Sequence, residues 1–140
     1  MRLQLLITIL LLFISPLVFA KKFDTSYLSI NIPEPWECAK ENTYWVCKDP
    51  RQLKAEILLF LFAKVAKPED SVRLFWDQLK QSKTITSFNN LPIQSKVYNI
   101  QMMDISNHQW VQALHGNSEL EGFATYYLAT IYNNISILAS

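Results

Sequence analysis

Two cysteines, Cys38 and Cys47, restrict the conformations open to this chain more than any other feature of its sequence. If the segment between them folds about an Asn42-Thr43 turn, the cysteines oppose each other on neighbouring antiparallel strands, and Lys40 opposes Trp45. Asn tolerates the positive φ that a two-residue hairpin turn requires. Opposed residues in such a pair have Cα atoms about 4.5–5.5 Å apart, which a disulfide can bridge. We therefore predict a β-hairpin closed by a Cys38–Cys47 disulfide.

A redox or metal role for the cysteines does not fit their spacing. Eight residues separate them, unlike a C-x-x-C pair, and no His lies nearby to complete a zinc site. The two histidines, His108 and His115, fall at opposite ends of a predicted strand, roughly 20 Å apart. We predict a structural disulfide and no metal site.

The first twenty residues have the layout of a secretory signal. Arg2 is followed by an apolar run from Leu3 to Phe13, and Val18-Phe19-Ala20 places small residues three and one before Lys21. The apolar run is shorter than the roughly 20 residues that a bilayer-spanning helix needs. We predict a signal peptide over residues 1–20, a single domain over residues 21–140, and a periplasmic or secreted location, where disulfides persist. The alternative is an uncleaved anchor, and only then would the protein contact the membrane.

Composition limits the classes of function. Without the first twenty residues, 120 residues carry 12 Lys or Arg against 12 Asp or Glu, a balance that argues against nucleic-acid binding. Sixteen aromatic residues exclude disorder. Gly116 and Gly122 are the only glycines, too few for a phosphate-binding or dinucleotide-binding loop. We therefore predict no small-molecule cofactor.

The first half of the domain predicts two strands and a helix. Ser26–Ile32 is a strand ended by a proline turn, and the almost wholly apolar Lys54–Val65 is a central strand covered on both faces. Pro68-Glu69-Asp70 opens the helix, with its acids at the positive end of the helix dipole and Lys80 and Lys83 at the other end. Its apolar face consists of residues at helical spacing: Val72, Phe75, Trp76 and Leu79.

The second half predicts an antiparallel meander. Val97–Ile105 and Gln109–His115 pair about an Asn107-His108 turn, and Phe123–Tyr132 and Ile135–Ala139 pair about Asn133-Asn134. The first pair places apolar side chains on one face: Tyr98, Ile100, Met102, Val111 and Ala113. The fold class is α+β, an antiparallel sheet of about six or seven strands with one main helix.

The segment Ile32-Pro33-Glu34-Pro35-Trp36 follows the first predicted strand and leads into the hairpin. It resembles the "hydrophobic–P–x–x–W" turn with which PsbP-like domains typically begin, and the order of the later elements is similar too. The resemblance implies an α/β/α sandwich and a binding or accessory role, and it assigns no catalytic residue. Such domains usually close with a C-terminal helix. The last predicted strand here runs almost to Ser140, so we expect the sheet to lack that helix or to pack on a partner.

Two tryptophans are candidates for a binding surface. Trp45 and Trp110 fall on strand faces opposite the predicted core, and an exposed pair of this kind would mark a partner site. The alternative is that another segment covers them. Glu119 and Glu121 are interpreted as part of a solvated loop.

Catalysis has weaker support. Asp104 and His108 are the only polar pair that could serve a hydrolase, and Ser106, the nearest hydroxyl, lacks a nucleophile motif. The sequence predicts an exported, non-enzymatic accessory or binding domain of the cell envelope, with an envelope protein as its partner. The alternatives are a membrane-tethered subunit and an envelope hydrolase using Asp104 and His108.

Overall fold

The structure is a computed structural model that describes residues 19–52 and 57–140. Nearly all of the predicted signal peptide therefore lies outside the described residues, as do residues 54–56 of the predicted central strand. The helix of the described part is α1 (Val72–Leu79). The strands there are β1 (Ala20–Asp24), β2 (Ser29–Pro33), β3 (Glu37–Glu41), β4 (Tyr44–Lys48), β5 (Leu59–Val65), β6 (Thr84–Thr86), β7 (Pro92–Gln94), β8 (Lys96–Ile105), β9 (His108–Gly116), β10 (Ala124–Tyr132) and β11 (Ile135–Ala139).

Seven of these strands form one antiparallel sheet in the order β3-β4-β5-β11-β10-β9-β8. Two small hairpins, β1–β2 and β6–β7, stand outside it. The α+β class and the seven-stranded antiparallel sheet are thus confirmed. Among the described residues, no helix is long and apolar enough to cross a membrane.

The disulfide hairpin is confirmed. Cys38 pairs with Cys47 across β3 and β4, and their sulfur atoms are bonded, with the Cα atoms 4.0 Å apart. Asn42 has the positive φ, 53°, that the turn requires. Lys40 opposes Trp45, as the register predicted.

The meander is confirmed, with one turn displaced. Asn133 and Asn134 have φ values of 47° and 61° between β10 and β11. The preceding turn, however, lies on Ser106-Asn107, so the predicted Asn107-His108 turn is wrong by one residue. His108 belongs to β9, where its ring packs edge-on against Tyr132 with centroids 4.4 Å apart.

A bulge removes Tyr98 from its predicted face. The register between β8 and β9 shifts between Val97 and Asn99, so one extra residue reverses the alternation of side chains. The Tyr98 ring lies over Gly116, where an added Cβ would come within 2.7 Å of its Cε2 atom. Beyond the bulge, Ile100 opposes Ala113 as predicted.

The helix begins later than predicted. Ser71 caps it by accepting the N–H of Leu74 at 3.0 Å, and the residues before it form a turn in which the Asp70 N–H donates to the Lys67 carbonyl. The Asp70 carboxylate accepts the Lys67 N–H and the Ser136 hydroxyl, so it holds this turn to β11 instead of opening the helix.

Helix α1 packs on β9 and β10 on one side of the sheet, which we call the helix face. Its apolar residues pack there as predicted, against β9 and β10, in a cluster built around five buried residues: Leu79, Val111, Ala113, Tyr127 and Ala129. We call the opposite side the hairpin face, because Phe23 of β1 packs edge-on against Trp45 there, with ring centroids 5.1 Å apart.

Strand β5 is shorter than the predicted central strand. It begins at Leu59 and pairs with β4 on one side and β11 on the other. Leu61 is buried, while Phe60 and Phe62 are half-buried beside Tyr44 on the helix face. The apolar Ile57 and Leu58 lie before the strand and are exposed.

Candidate functional site

An apolar pocket of about 660 Å³ opens at one end of the sheet, and we call it the sheet-end pocket. It is lined by residues 57–60, 119–120 and 123–126, together with Pro33, Trp36 and Ser140. Two of its large apolar side chains, Ile57 and Tyr126, are about 60% exposed. The pocket is within the size range of ligand-binding sites in proteins.

Unequal strand lengths create this pocket. β11 pairs with only the second part of β10, where Ala139 opposes Leu128, and Ser140 exchanges two backbone hydrogen bonds with Phe60 of β5. Residues 124–126 of β10 have partners in β9 but none on the β11 side among the described residues. The pocket therefore lies between the start of β10 and the start of β5.

Hydrogen bonds fix the conformation of the loop that forms one wall of the pocket, residues 117–123. The Asn117 side chain accepts the Gly122 N–H at 2.7 Å, and the Asn117 N–H donates to the Phe123 carbonyl at 2.9 Å. Gly122 has a φ of 81°, a conformation that favours glycine. Glu121 accepts the Phe88 N–H at 2.7 Å, which ties the loop to the β6–β7 hairpin.

A polar network anchors the same loop to the helix face. Lys83 donates to Glu119 at 2.8 Å and to the Tyr127 hydroxyl at 3.2 Å, and the Tyr127 hydroxyl donates to Glu119. Because that hydroxyl has a single proton, Ser118, 2.9 Å away, must be the donor to it. Glu119 lies in a loop and is exposed, in agreement with its interpretation as a solvated loop residue, but its carboxylate is also the centre of this network.

Burial sets the protonation states in the network. Burial raises the pKa of Tyr127, and the neighbouring Glu119 carboxylate raises it further, so the phenol stays protonated. Burial alone would lower the pKa of Lys83, but its hydrogen bonds to Glu119 and Tyr127 outweigh this and raise it, so the amine stays charged. Ser118 is buried, so its hydroxyl is in no position to attack a bound molecule.

Glu119 is the polar group that this network presents to the pocket. Its Oε1 atom accepts from Lys83 and Tyr127, whereas its Oε2 atom has no hydrogen-bond partner among the described residues. A carboxylate fixed in this way can accept a hydrogen bond from a cationic or N–H group in the pocket.

His115 lies next to the network and is fully buried. Its Nε2–H donates to the Leu79 carbonyl at 2.7 Å, and its Nδ1 atom has no partner. Burial lowers its pKa, so the imidazole is neutral at pH 7. It links β9 to the end of α1 and does not face the pocket.

The predicted binding residues, Trp45 and Trp110, share the hairpin face but are not brought together. Four strand spacings separate β4 from β9, about 19 Å. Both indoles are half-buried, Trp45 against Phe23, and the Nε1 atom of Trp110 is buried without a partner. Neither lines the sheet-end pocket.

The polar pair considered for a hydrolase is separated as well. Asp104 opposes Gln109 and His108 opposes Ile105, so alternation places the Asp104 and His108 side chains on opposite faces of the sheet. Within residues 19–52 and 57–140, no three His, Cys, Asp or Glu side chains are grouped to hold a metal ion.

The sequence matches no model of a protein family, and it matches no curated protein.

Sequence reasoning missed this pocket because its walls come from distant segments. Residues 119–120 were interpreted as loop, and residues 57–58 were assigned to a strand interior. A signal was nevertheless present, since Leu120 and Phe123 are large apolar residues within a short polar loop.

Proposed function

We propose that this protein is an exported, non-enzymatic binding domain of the cell envelope that holds a partner in the sheet-end pocket. The observation that carries the proposal is the pocket itself, an apolar cavity of about 660 Å³ with a fixed carboxylate, Glu119, in its wall. An apolar pocket with a few oriented polar groups is the usual form of a binding site. The hydroxyl and amine groups near the pocket are already hydrogen-bonded in the network around Glu119, which favours a binding role over catalysis.

Export is supported by two features that do not depend on each other. The first twenty residues have the pattern of a signal peptide, and the domain contains a Cys38–Cys47 disulfide, a bond typical of oxidising compartments. A periplasmic or secreted location follows from the two together.

The finer fold assignment belongs to the same proposal. The order of the described elements is the one expected of a PsbP-like domain: the Ile32–Trp36 segment, the hairpin after it, helix α1 and the meander. Among the described residues a helix covers one face of the sheet, while β1 and β2 lie on the other. A PsbP-like sandwich with an accessory role is the architecture that this order favours.

Photo-crosslinking in the native host tests the binding role. A photoreactive phenylalanine analogue replaces Leu120, in the pocket wall, or Leu91, which is 63% exposed and lies outside the pocket. We expect a specific adduct with an envelope protein from position 120 and none from position 91. Equal labelling at both positions, or none at either, would contradict the proposal.

Intact mass measured without reductant tests export. Protein recovered from the native host should begin at Lys21 and be lighter by two hydrogens than its reduced form. A mass that retains residues 1–20 would make the protein a membrane-tethered subunit instead.

A further inference from the structure

We propose that the outer edge of β8 is a second interaction surface, on which an extended segment of a partner protein adds as a further strand of the sheet. The segment is uncharged in its middle, with a basic residue opposite Asp104 and an acidic residue opposite Lys96. This inference goes beyond the proposed function, because no residue of β8 lines the sheet-end pocket.

Strand β8, which lies between β7 and β9 in the chain, is the outermost strand of the seven-stranded sheet. Among the described strands it pairs only with β9. It is ten residues long, contains no proline and carries charge only at Lys96 and Asp104. The strand at the opposite edge, β3, has five residues, of which three are charged: Glu37, Lys40 and Glu41. Since short and charged edge strands resist the addition of another strand, β8 is the edge that accepts one.

Turn geometry shows which backbone groups of β8 face outwards. The two-residue turn to β9 has a positive φ at both positions, so Ile105, the last residue of β8, directs its N–H and C=O to β9. Successive residues of an antiparallel strand direct these groups to alternate sides, so those of Ile100, Met102 and Asp104 point away from β9. No described residue donates to them or accepts from them. An added strand pairs all six groups.

The side chains of β8 define the middle of the partner segment. On the helix face, Ile100 and Met102 oppose buried residues of β9 but are not fully buried themselves. Apolar side chains of an added strand would cover both of them and extend the core cluster. On the hairpin face, Asn99 and Gln101 are exposed and polar, so small polar side chains fit there.

The charges at the two ends of β8 define the ends of the partner segment. No described residue forms an ion pair with Lys96 or Asp104. Lys96 opposes Gly116 and Asp104 opposes Gln109, so the two charges are seven positions apart along β9. Antiparallel pairing is the more stable arrangement per residue. A regular antiparallel segment therefore carries a basic residue opposite Asp104 and an acidic residue seven positions later, opposite Lys96.

The bulge at Tyr98 argues against a second copy of β8 as the partner. Because of this extra residue, Lys96 and Asp104 are eight positions apart in β8 but span seven positions of a regular strand. Suppose that Asp104 of one copy faced Lys96 of the other. Ile100 would then face Gln101, whose backbone groups point to β9 instead. Two copies cannot pair their backbones and these charges together, whereas a regular strand of another protein satisfies both.

The test is titration of the protein with the blocked peptide Lys-Thr-Val-Thr-Val-Thr-Val-Glu, followed by amide NMR. Two controls are matched to it: the same peptide with its terminal Lys and Glu exchanged, and the parent peptide N-methylated at its third and fifth residues, whose N–H groups would face β8. We expect the parent peptide to protect the amides of Ile100, Met102 and Asp104. Both controls should bind at least about tenfold more weakly, because one opposes like charges and the other loses hydrogen bonds.

A double variant, Lys96→Glu with Asp104→Lys, locates the interaction. Both side chains are exposed, so we expect the variant to keep the fold. Its preference should be reversed, and it should bind the peptide with exchanged ends at least about tenfold more tightly than the parent peptide. An unchanged preference would place the binding elsewhere and overturn the inference.

Equal binding of the parent and N-methylated peptides would also overturn the inference, and so would the absence of binding by the parent peptide. Sedimentation equilibrium of the protein alone tests the second copy as occupant. A dimer in which the amides of Ile100 and Met102 are protected without peptide would overturn the inference too. None of these outcomes decides the proposed function, which the crosslink at position 120 tests separately.

Discussion

Two regions of the sheet contain similar apolar residues but bury them to different extents. Under α1, the side chains of the core cluster are almost completely buried, as Val111, Ala113 and Ala129 show. At the sheet-end pocket, Leu120 and Phe123 remain more than 40% exposed, although they too are large and apolar. The difference in burial arises from strand length, because the strands under the helix pair with a neighbouring strand on both sides and the strand ends at the pocket do not. Among the described residues the core is closed by the chain itself, whereas the pocket is open.

The largest expected effect separates the two regions by a matched pair of substitutions. Leu79→Ala should lower the free energy of unfolding by about 2–5 kcal/mol, because it opens a cavity in the core. Leu120→Ala should lower it by less than about 1 kcal/mol, because this side chain is already 44% exposed. Urea unfolding of both variants measures the difference. Similar losses would mean that the pocket wall belongs to the core.

Loss of the disulfide should destabilise both regions together. Replacing Cys38 and Cys47 by Ser should cost about 2–3 kcal/mol, because the unfolded chain is no longer closed into a short loop. Reductant should lower the free energy of unfolding of the native chain by a similar amount and leave that of the double variant unchanged. If reductant shifts the double variant too, the effect does not come from this bond.

Adjacent tyrosines of β10 give a finer test. Tyr127→Phe should cost about 1–3 kcal/mol, because it leaves Lys83, Glu119 and Ser118 without the hydroxyl that joins them. Tyr126→Phe should cost less than about 0.5 kcal/mol, because its side chain is 60% exposed. Chemical denaturation distinguishes them, and equal costs would show that the network does not anchor the loop.

The smallest effect concerns pH and the buried His115. Burial lowers its pKa below the ordinary value of 6.5, so below pH 6.5 the unfolded chain binds a proton more readily than the folded one. The contribution of the neutral His115 to the free energy of unfolding is therefore complete above pH 6.5, and it is lost as the pH falls through the folded-state pKa.

Substitution identifies the histidine responsible. His115→Gln should flatten the dependence of unfolding free energy on pH in this range, whereas His108→Gln, at an exposed position, should preserve it. A profile that depends on His108 and not on His115 would contradict the assignment.

Local patterns predicted much of the fold. The Cys38–Cys47 pairing, the Asn133-Asn134 turn and the apolar face of α1 all depend on residues close in sequence, so their periodicity and turn chemistry were sufficient. Errors arose where a distant contact decided the outcome. Asp70 was assigned to the helix because the local pattern does not show that the distant Ser136 hydroxyl donates to its carboxylate. The bulge at Tyr98 likewise accompanies a distant contact, the packing of its ring over Gly116.

The candidate site was less predictable than the fold. The hydrogen-bond network of Glu119 was not predicted because Lys83 and Tyr127 are 36 and 8 positions away from it in the sequence. Trp45 and Trp110 were chosen for their residue type, and strand order separates them by four strand spacings on the same face of the sheet. A pocket formed by unequal strand lengths requires the pairing register, which alternation along a single strand does not contain.

The central claim is that β10 lacks a partner beside the pocket and has one further along. Hydrogen–deuterium exchange of individual amides, followed by NMR, tests it directly. The amides of Tyr126 and Leu128 lie on the same side of the same strand. We expect Leu128 to be protected by its pairing with Ala139, and Tyr126 to exchange at least about a hundredfold faster. Equal protection of the two amides would show that the strand is closed along its whole length, and would contradict the account.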